Sequence, residues 1–132
     1  MKTKILIIGA LMATLSFGAG FDCKKASTST EKAICTNKKL SDLDSMVANQ
    51  YKKAMNSFKG SDESTGMCRQ CVYNNSGKLR GCEDVCNDAR DGLKDNQKEW
   101  IKNRDKCVAN VNCIQKSMIE RIEFLKEPSD FM

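Results

Sequence analysis

Cysteine is the residue with which this chain can do most chemistry, and eight of them fall at Cys23, Cys35, Cys68, Cys71, Cys82, Cys86, Cys107 and Cys113. Three kinds of chemistry use such a set. Cys68 and Cys71 have two residues between them, and Cys82 and Cys86 have three, a spacing that suits four thiolates around zinc. Cys68-Arg69-Gln70-Cys71 is also the spacing of thiol–disulfide oxidoreductases. The third use is structural, with the cysteines paired as disulfides.

The compartment decides among them. Lys2 and Lys4 precede an apolar run from Ile5 to Phe17, and Ser16, Gly18, Ala19 and Gly20 supply small residues at its end. A basic start, a short apolar stretch and a small-residue site form an export leader, and the run is short for a membrane span. Gly18 and Gly20 fit the two small positions read before the cut, so residues 1–20 are expected to be a signal peptide and residues 21–132 the mature domain. Phe21 and Asp22 stand before Cys23, where a lipid-anchored precursor carries a small residue, so no stable membrane anchor is expected after cleavage. The expected location is the periplasm or outside the cell. Thiols there pair by oxidation, which favours disulfides over zinc and leaves no metal or other cofactor in the expected inventory. Redox catalysis is disfavoured as well: no strand precedes Cys68, and Cys82 and Cys86 lie close by to bond that motif.

Other catalytic chemistry finds little purchase. Histidine is absent, which removes the usual neutral-pH base for a serine or cysteine nucleophile and the commonest metal ligand. No glycine-rich phosphate loop occurs, and the carboxylates are abundant but unpatterned. An enzyme is therefore not expected. The leader removes two lysines and no acid, so 20 basic residues face 17 acidic ones in the mature chain, a net charge of about +3. With both signs interleaved as on solvated helices, nucleic acid is not an expected partner.

The elements that position these cysteines read as helices. About 112 mature residues suffice for one domain. Thr28 with Glu31 three residues on predicts a capping box and a short helix to about Cys35. Leu40, Leu43, Val47, Tyr51, Ala54 and Phe58 recur at three- and four-residue steps and predict a long amphipathic helix. Gly60 to Gly66 reads as a loop. From Cys68 to Cys86, two cysteine pairs flank the turn formers Asn74, Asn75, Ser76 and Gly77; a hairpin there suits nested bonds Cys68–Cys86 and Cys71–Cys82. Leu93, Gln97, Trp100, Ile101 and Arg104 mark a second long helix ending at Cys107. Val108 to Asn112 is a short connection, and Cys113, Ile114, Met118, Ile122 and Leu125 mark a last helix that closes before Pro128. Strand-type alternation is missing, so the expected fold is all-α: a small disulfide-stapled helical hairpin bundle with a Cys-rich hairpin insertion at about 60–90.

Two blocks of residues resemble the LprI-type lysozyme inhibitor family of small secreted bacterial proteins. The first runs from Phe21-Asp22-Cys23 through Ala26 and Thr30 to Glu31-Lys32-Ala33-Ile34-Cys35, with Leu40 and Leu43-Asp44 after it. The second comprises Gln97, Trp100, Arg104-Asp105 and Cys107, then Cys113 and the helix with Arg121 and Ile122. The segment from Cys68 to Cys86 looks like an insertion between helices that the family joins more simply. Beside that resemblance, Cys107 and Cys113 are close enough to clamp the turn between the last two helices, and Cys23 and Cys35 to pin the N-terminal arm, two pairings among 105 formal connectivities. A peptide map linking Cys23 to Cys107 would overturn them.

The resemblance implies an exported helical protein that inhibits host, animal-type lysozyme by protein–protein contact. The alternative is a non-enzymatic cell-envelope interaction or structural module with a different partner. Trp100 and Arg104, one turn apart, are expected in the core, with Arg104 paired to Asp44, Asp105 or Glu31, rather than as an exposed anchor pair. The candidate recognition surface is the insertion tip from Asn74 to Arg80, where Lys78 and Arg80 offer cations to the paired carboxylates of a lysozyme cleft. Long-range attraction does not assist, because animal lysozymes are strongly basic and this chain is mildly so.

Overall fold

The computed structural model describes residues 19–58 and 82–127. Residues 1–18 of the expected leader, Cys68, Cys71, Lys78 and Arg80 fall outside them, as do the loop at 60–66 and the hairpin turn; Ala19 and Gly20, the last two residues assigned to the leader, fall inside. Among the described residues all regular structure is helical: a single 3₁₀ turn at Cys23–Lys25, then α1 (Ser29–Thr36), α2 (Lys38–Ser57), α3 (Cys82–Asp105) and α4 (Val111–Lys126).

Local chemistry sets where each helix begins. Thr28 Oγ1 accepts from the Glu31 N–H at 3.1 Å, and Glu31 Oε2 accepts from the Thr28 and Ser27 N–H groups at 3.0 and 2.6 Å, the full capping box. Asn37 ends α1 and starts α2: its N–H donates to the Ala33 carbonyl, and its Oδ1 accepts from Leu40 N–H. Ser41, fully buried, donates its hydroxyl to the Ile34 carbonyl at 2.6 Å and locks that corner. Asn110 Oδ1 accepts from Cys113 N–H and starts α4.

The apolar stripes meet as their periodicity requires. Leu40, Val47, Ala54 and Phe58 from the second stripe are buried, while Leu43 and Tyr51 sit at its edge. They pack mainly along α4, against Ile114, Met118, Ile122 and Leu125, with Ile34 from α1 and Ala89 and Leu93 from α3 completing the core. Disulfides Cys23–Cys35 and Cys107–Cys113 staple the N-terminal arm and the α3–α4 turn. Cys86 is disulfide-bonded as well. The nested pairing of the insertion involves side chains outside the described residues. One boundary differs from the sequence reading: α3 starts at Cys82, so residues assigned to the insertion are continuous with a helix of the frame. The segment before Leu93 is rich in Asp and Asn and carries few large apolar residues to betray it.

The capping box has a pH consequence. Backbone hydrogen bonds from Thr28 and Ser27 hold the Glu31 carboxyl below its ordinary pKa of 4.5. A depressed carboxylate contributes stability that is whole above that ordinary value and lost as pH falls through the lower folded value. Urea midpoints of the wild type should therefore approach those of Glu31→Gln as pH drops from neutral to 3, and a constant gap would refute this.

Candidate functional site

Gln97, Trp100 and Arg104 recur one turn apart on α3, on the face turned toward α2 and α4. Arg104 is 5% exposed; its Nη1 donates to Asp44 Oδ1 on α2 at 3.2 Å, while Nε and Nη2 donate to Asp105 Oδ1 at 3.0 and 2.9 Å. Of the three acids expected for it, Asp44 and Asp105 are the ion-pair partners, and Glu31 serves the cap. Asp44 Oδ2 accepts the Gly20 N–H at 2.8 Å. Gly20 fits because it lacks a side chain: a Cβ there would lie 2.7 Å from Ala48 Cβ. Burial raises the Asp44 pKa, and the Gly20 N–H and Arg104 oppose the rise.

Arg121 of α4 completes the cluster. Its Nε and Nη2 donate to Gln97 Oε1 at 2.9 and 2.7 Å, and its Nη1 donates to Asn96 Oδ1 at 2.6 Å. Burial pushes its pKa down to about 10. The Arg104 and Arg121 guanidiniums stand 5.3 and 5.6 Å from the Trp100 ring centre, and Arg121 also lies 4.7 Å from that of Phe124. Trp100 itself packs against the core. Each strong polar group in this cluster has a partner inside the protein, so the cluster fixes α2, α3 and α4 relative to one another. It is a structural hub, and it aims the chain that leaves α3.

That chain is the loop from Cys107 to Cys113. Its ends are joined by the disulfide, and Val108 to Asn112 are all exposed, Val108 at 57% and Val111 at 40%. Val108 has φ 55°, a left-handed conformation that β-branched residues rarely adopt and that costs about 1–3 kcal/mol. Several contacts sustain it. Thr30, fully buried on α1, donates its hydroxyl to the Val108 carbonyl at 2.6 Å and lies 3.2 Å from that of Asp105. Val108 N–H bonds to the Asp105 carbonyl, and Asn110 N–H to that of Cys107. Beside the loop, Lys32 and Thr36 of α1 and Val111 line an open groove of about 550 Å³.

A second groove, about 400 Å³, lies between α2 and α4, with Leu43 and Ile122 in it and the exposed Met46 and Ile119 at its lips. Among the described residues, no cluster of three or more acidic or cysteine side chains is arranged to hold a metal, and no helix is long and apolar enough to cross a membrane.

Sequence reasoning anticipated the Arg104 pairing and both described disulfides. It missed the Gly20–Asp44 contact, because Gly20 was assigned to the leader, and it treated Val108 to Asn112 as a plain connection. The buried threonine at position 30 was the available signal for the loop. A family model described as "Lysozyme inhibitor LprI" matches residues 23–125. No curated protein and no solved structure matches the chain at a significant level.

Proposed function

This chain belongs to the LprI family of lysozyme inhibitors, and on that premise we propose that it is exported to the periplasm or beyond and inhibits host, animal-type lysozyme by protein–protein contact. The observation that carries the reading is the extent of the family match, from the first stapled cysteine to the end of α4. The stapled frame supports it: a braced surface loses little conformational entropy on binding. In a turbidity assay on bacterial cell walls, native protein should slow chicken-type lysozyme and reduced, alkylated protein should not. A second reading, an envelope interaction module with another partner, is favoured by the like charge of the chain and animal lysozymes. Undiminished lysis with native protein in excess would select it.

Export implies a cut, and the seat of Gly20 against Asp44 bears on where it falls. Cleavage after Gly20 would remove the N–H that Asp44 accepts and the Ala19 side chain that packs on the core. Ser16 and Gly18 offer the same pair of small positions two residues earlier. The mature chain should begin at Ala19, and intact-mass measurement of the exported protein will read it; a start at Phe21 would refute the inference.

Lys78 and Arg80 remain the proposed cationic contact of the insertion, directed at the catalytic carboxylates of the cleft. Replacing both with alanine should raise the half-inhibitory concentration by about tenfold, the loss of roughly 1.4 kcal/mol. An unchanged value would dismiss the tip.

A further inference from the structure

We propose that the disulfide-closed loop Cys107–Cys113 enters the sugar-binding cleft of lysozyme, with the Val108 side chain at the centre of the contact. This rests on the lysozyme-inhibitor reading and offers a different surface for the cleft from the insertion tip: inhibition lost in Val108 variants and kept when Lys78 and Arg80 are replaced assigns the cleft to the loop, and the reverse assigns it to the tip. Four features of the loop argue together for its place in the cleft.

The first is shape. A glycan cleft is concave and is filled by something convex. The α2–α4 groove is itself concave, whereas residues 108–112, running from the turn after α3 into the first turn of α4, form a continuous run of exposed residues, of which Ala109 and Val111 also edge the groove beside α1. The second is rigidity. The disulfide, the Thr30 hydroxyl on the Val108 carbonyl and the Asn110 cap hold the loop in one conformation before any partner arrives. The left-handed backbone at Val108 turns the chain after α3 and offers its carbonyl to the buried Thr30 hydroxyl, while the valine side chain it carries is exposed, contributes little to the core and has its direction set by that turn.

The third feature is charge. Val108, Ala109, Asn110, Val111 and Asn112 carry none, so the repulsion expected between two basic proteins is weakest there. Asp105, the nearest acid, is already engaged by Arg104. Lys106 precedes the loop and Lys32 flanks its groove, both exposed, which places cations beside a neutral apex that faces a cleft containing catalytic carboxylates. The fourth is chemistry. Cell-wall sugars present N-acetyl groups, each a methyl next to an amide. The loop presents methyl groups of Val108, Ala109 and Val111, with the exposed Asn112 supplying a carboxamide within the same run. A cleft built to read N-acetyl groups is built to accept that combination.

The test uses the full mature protein, chicken-type lysozyme and chitotriose, a soluble N-acetylated trisaccharide that occupies the cleft. Val108→Gly removes the side chain and, because glycine adopts positive φ freely, leaves the fold intact. Val108→Asn also tolerates that conformation and keeps the loop stiffer. Both should raise the half-inhibitory concentration about tenfold or more, with thermal midpoints no lower than wild type, and chitotriose should compete with wild-type binding. Shared loss in the two variants assigns the effect to the apolar side chain rather than to stiffness. Full inhibition by both variants, or wild-type binding indifferent to chitotriose, would overturn the loop while leaving the inhibitor reading intact. Failure of the wild type itself to inhibit would overturn that reading and the loop with it.

Discussion

Arg104→Ala should lower the unfolding free energy by about 3–5 kcal/mol, the range for stranding one member of a buried ion pair. Both partners are enclosed, Arg104 at 5% and Asp44 at 7% side-chain exposure, so water does not replace the lost contact. The truncation leaves Asp44 with the Gly20 N–H but without its cation, frees Asp105, and removes one of the two guanidiniums near Trp100. The pH dependence has a definite sign. Burial already raises the Asp44 pKa, and Arg104 is one of the groups opposing that rise, so the variant's folded pKa climbs further. A raised carboxyl contributes stability that is present below the ordinary aspartate value and is lost as pH rises through the folded one. The deficit of Arg104→Ala should thus be smallest near pH 3 and widen toward neutrality. Asp44→Asn combined with Arg104→Met should recover most of the loss, because the asparagine still accepts from Gly20 and the one carboxylate left without its cation, Asp105, is 21% exposed and keeps access to water. A neutral-pH loss below about 1 kcal/mol, the level of an exposed pair, would show that the hub does not behave as a buried one.

That hub shows what the sequence makes legible. Leu40, Val47, Ala54 and Phe58 repeat at helical steps and are buried together, and Thr28 with Glu31 forms the predicted box, because both signals are local to one helix. The Arg104 pairing was legible as a short set of acids, since a buried arginine needs a carboxylate and few acids lie on apolar faces. Arg121 was not assigned a partner: its acceptors are the amides of Gln97 and Asn96, which carry no charge to point at it. The Val108 conformation left no trace in residue type, since valine is the wrong residue for positive φ and only its tertiary contacts impose it. Gly20 was hidden for a different reason. Small residues before a leader cut and a small residue packed under a helix look identical in sequence, and the 2.7 Å approach to Ala48 is visible only in three dimensions.

The second large effect joins Gly20 to the first disulfide. Cys23→Ala with Cys35→Ala should cost about 3 kcal/mol by loop closure alone, for a bridge spanning 12 positions. A structural cost adds to this, because the 3₁₀ turn at Cys23–Lys25 is too short to hold itself and the staple keeps the arm seated on α1. Without the bridge, Gly20 should leave Asp44. Gly20→Ala reports on this: in the bridged protein, begun at Ala19, its Cβ must press on Ala48 and on the Asp44 carbonyl at 3.0 Å, overpacking worth about 1–3 kcal/mol. In the unbridged background the arm is free and the same substitution should cost close to nothing. The four proteins form a double-mutant cycle whose coupling energy, read from urea denaturation, should equal most of the Gly20→Ala penalty. Cys107→Ala with Cys113→Ala serves as the comparison: it removes a shorter closure of about 2 kcal/mol at the C-terminal end of α3, where it bears on the Gly20 seat only through Arg104 and Asp44, and it should lower the Gly20 penalty much less. Equal Gly20 penalties with and without the Cys23–Cys35 bridge would mean that the arm is held by its own contacts, and Asp44 would then keep its N–H donor in the absence of the staple.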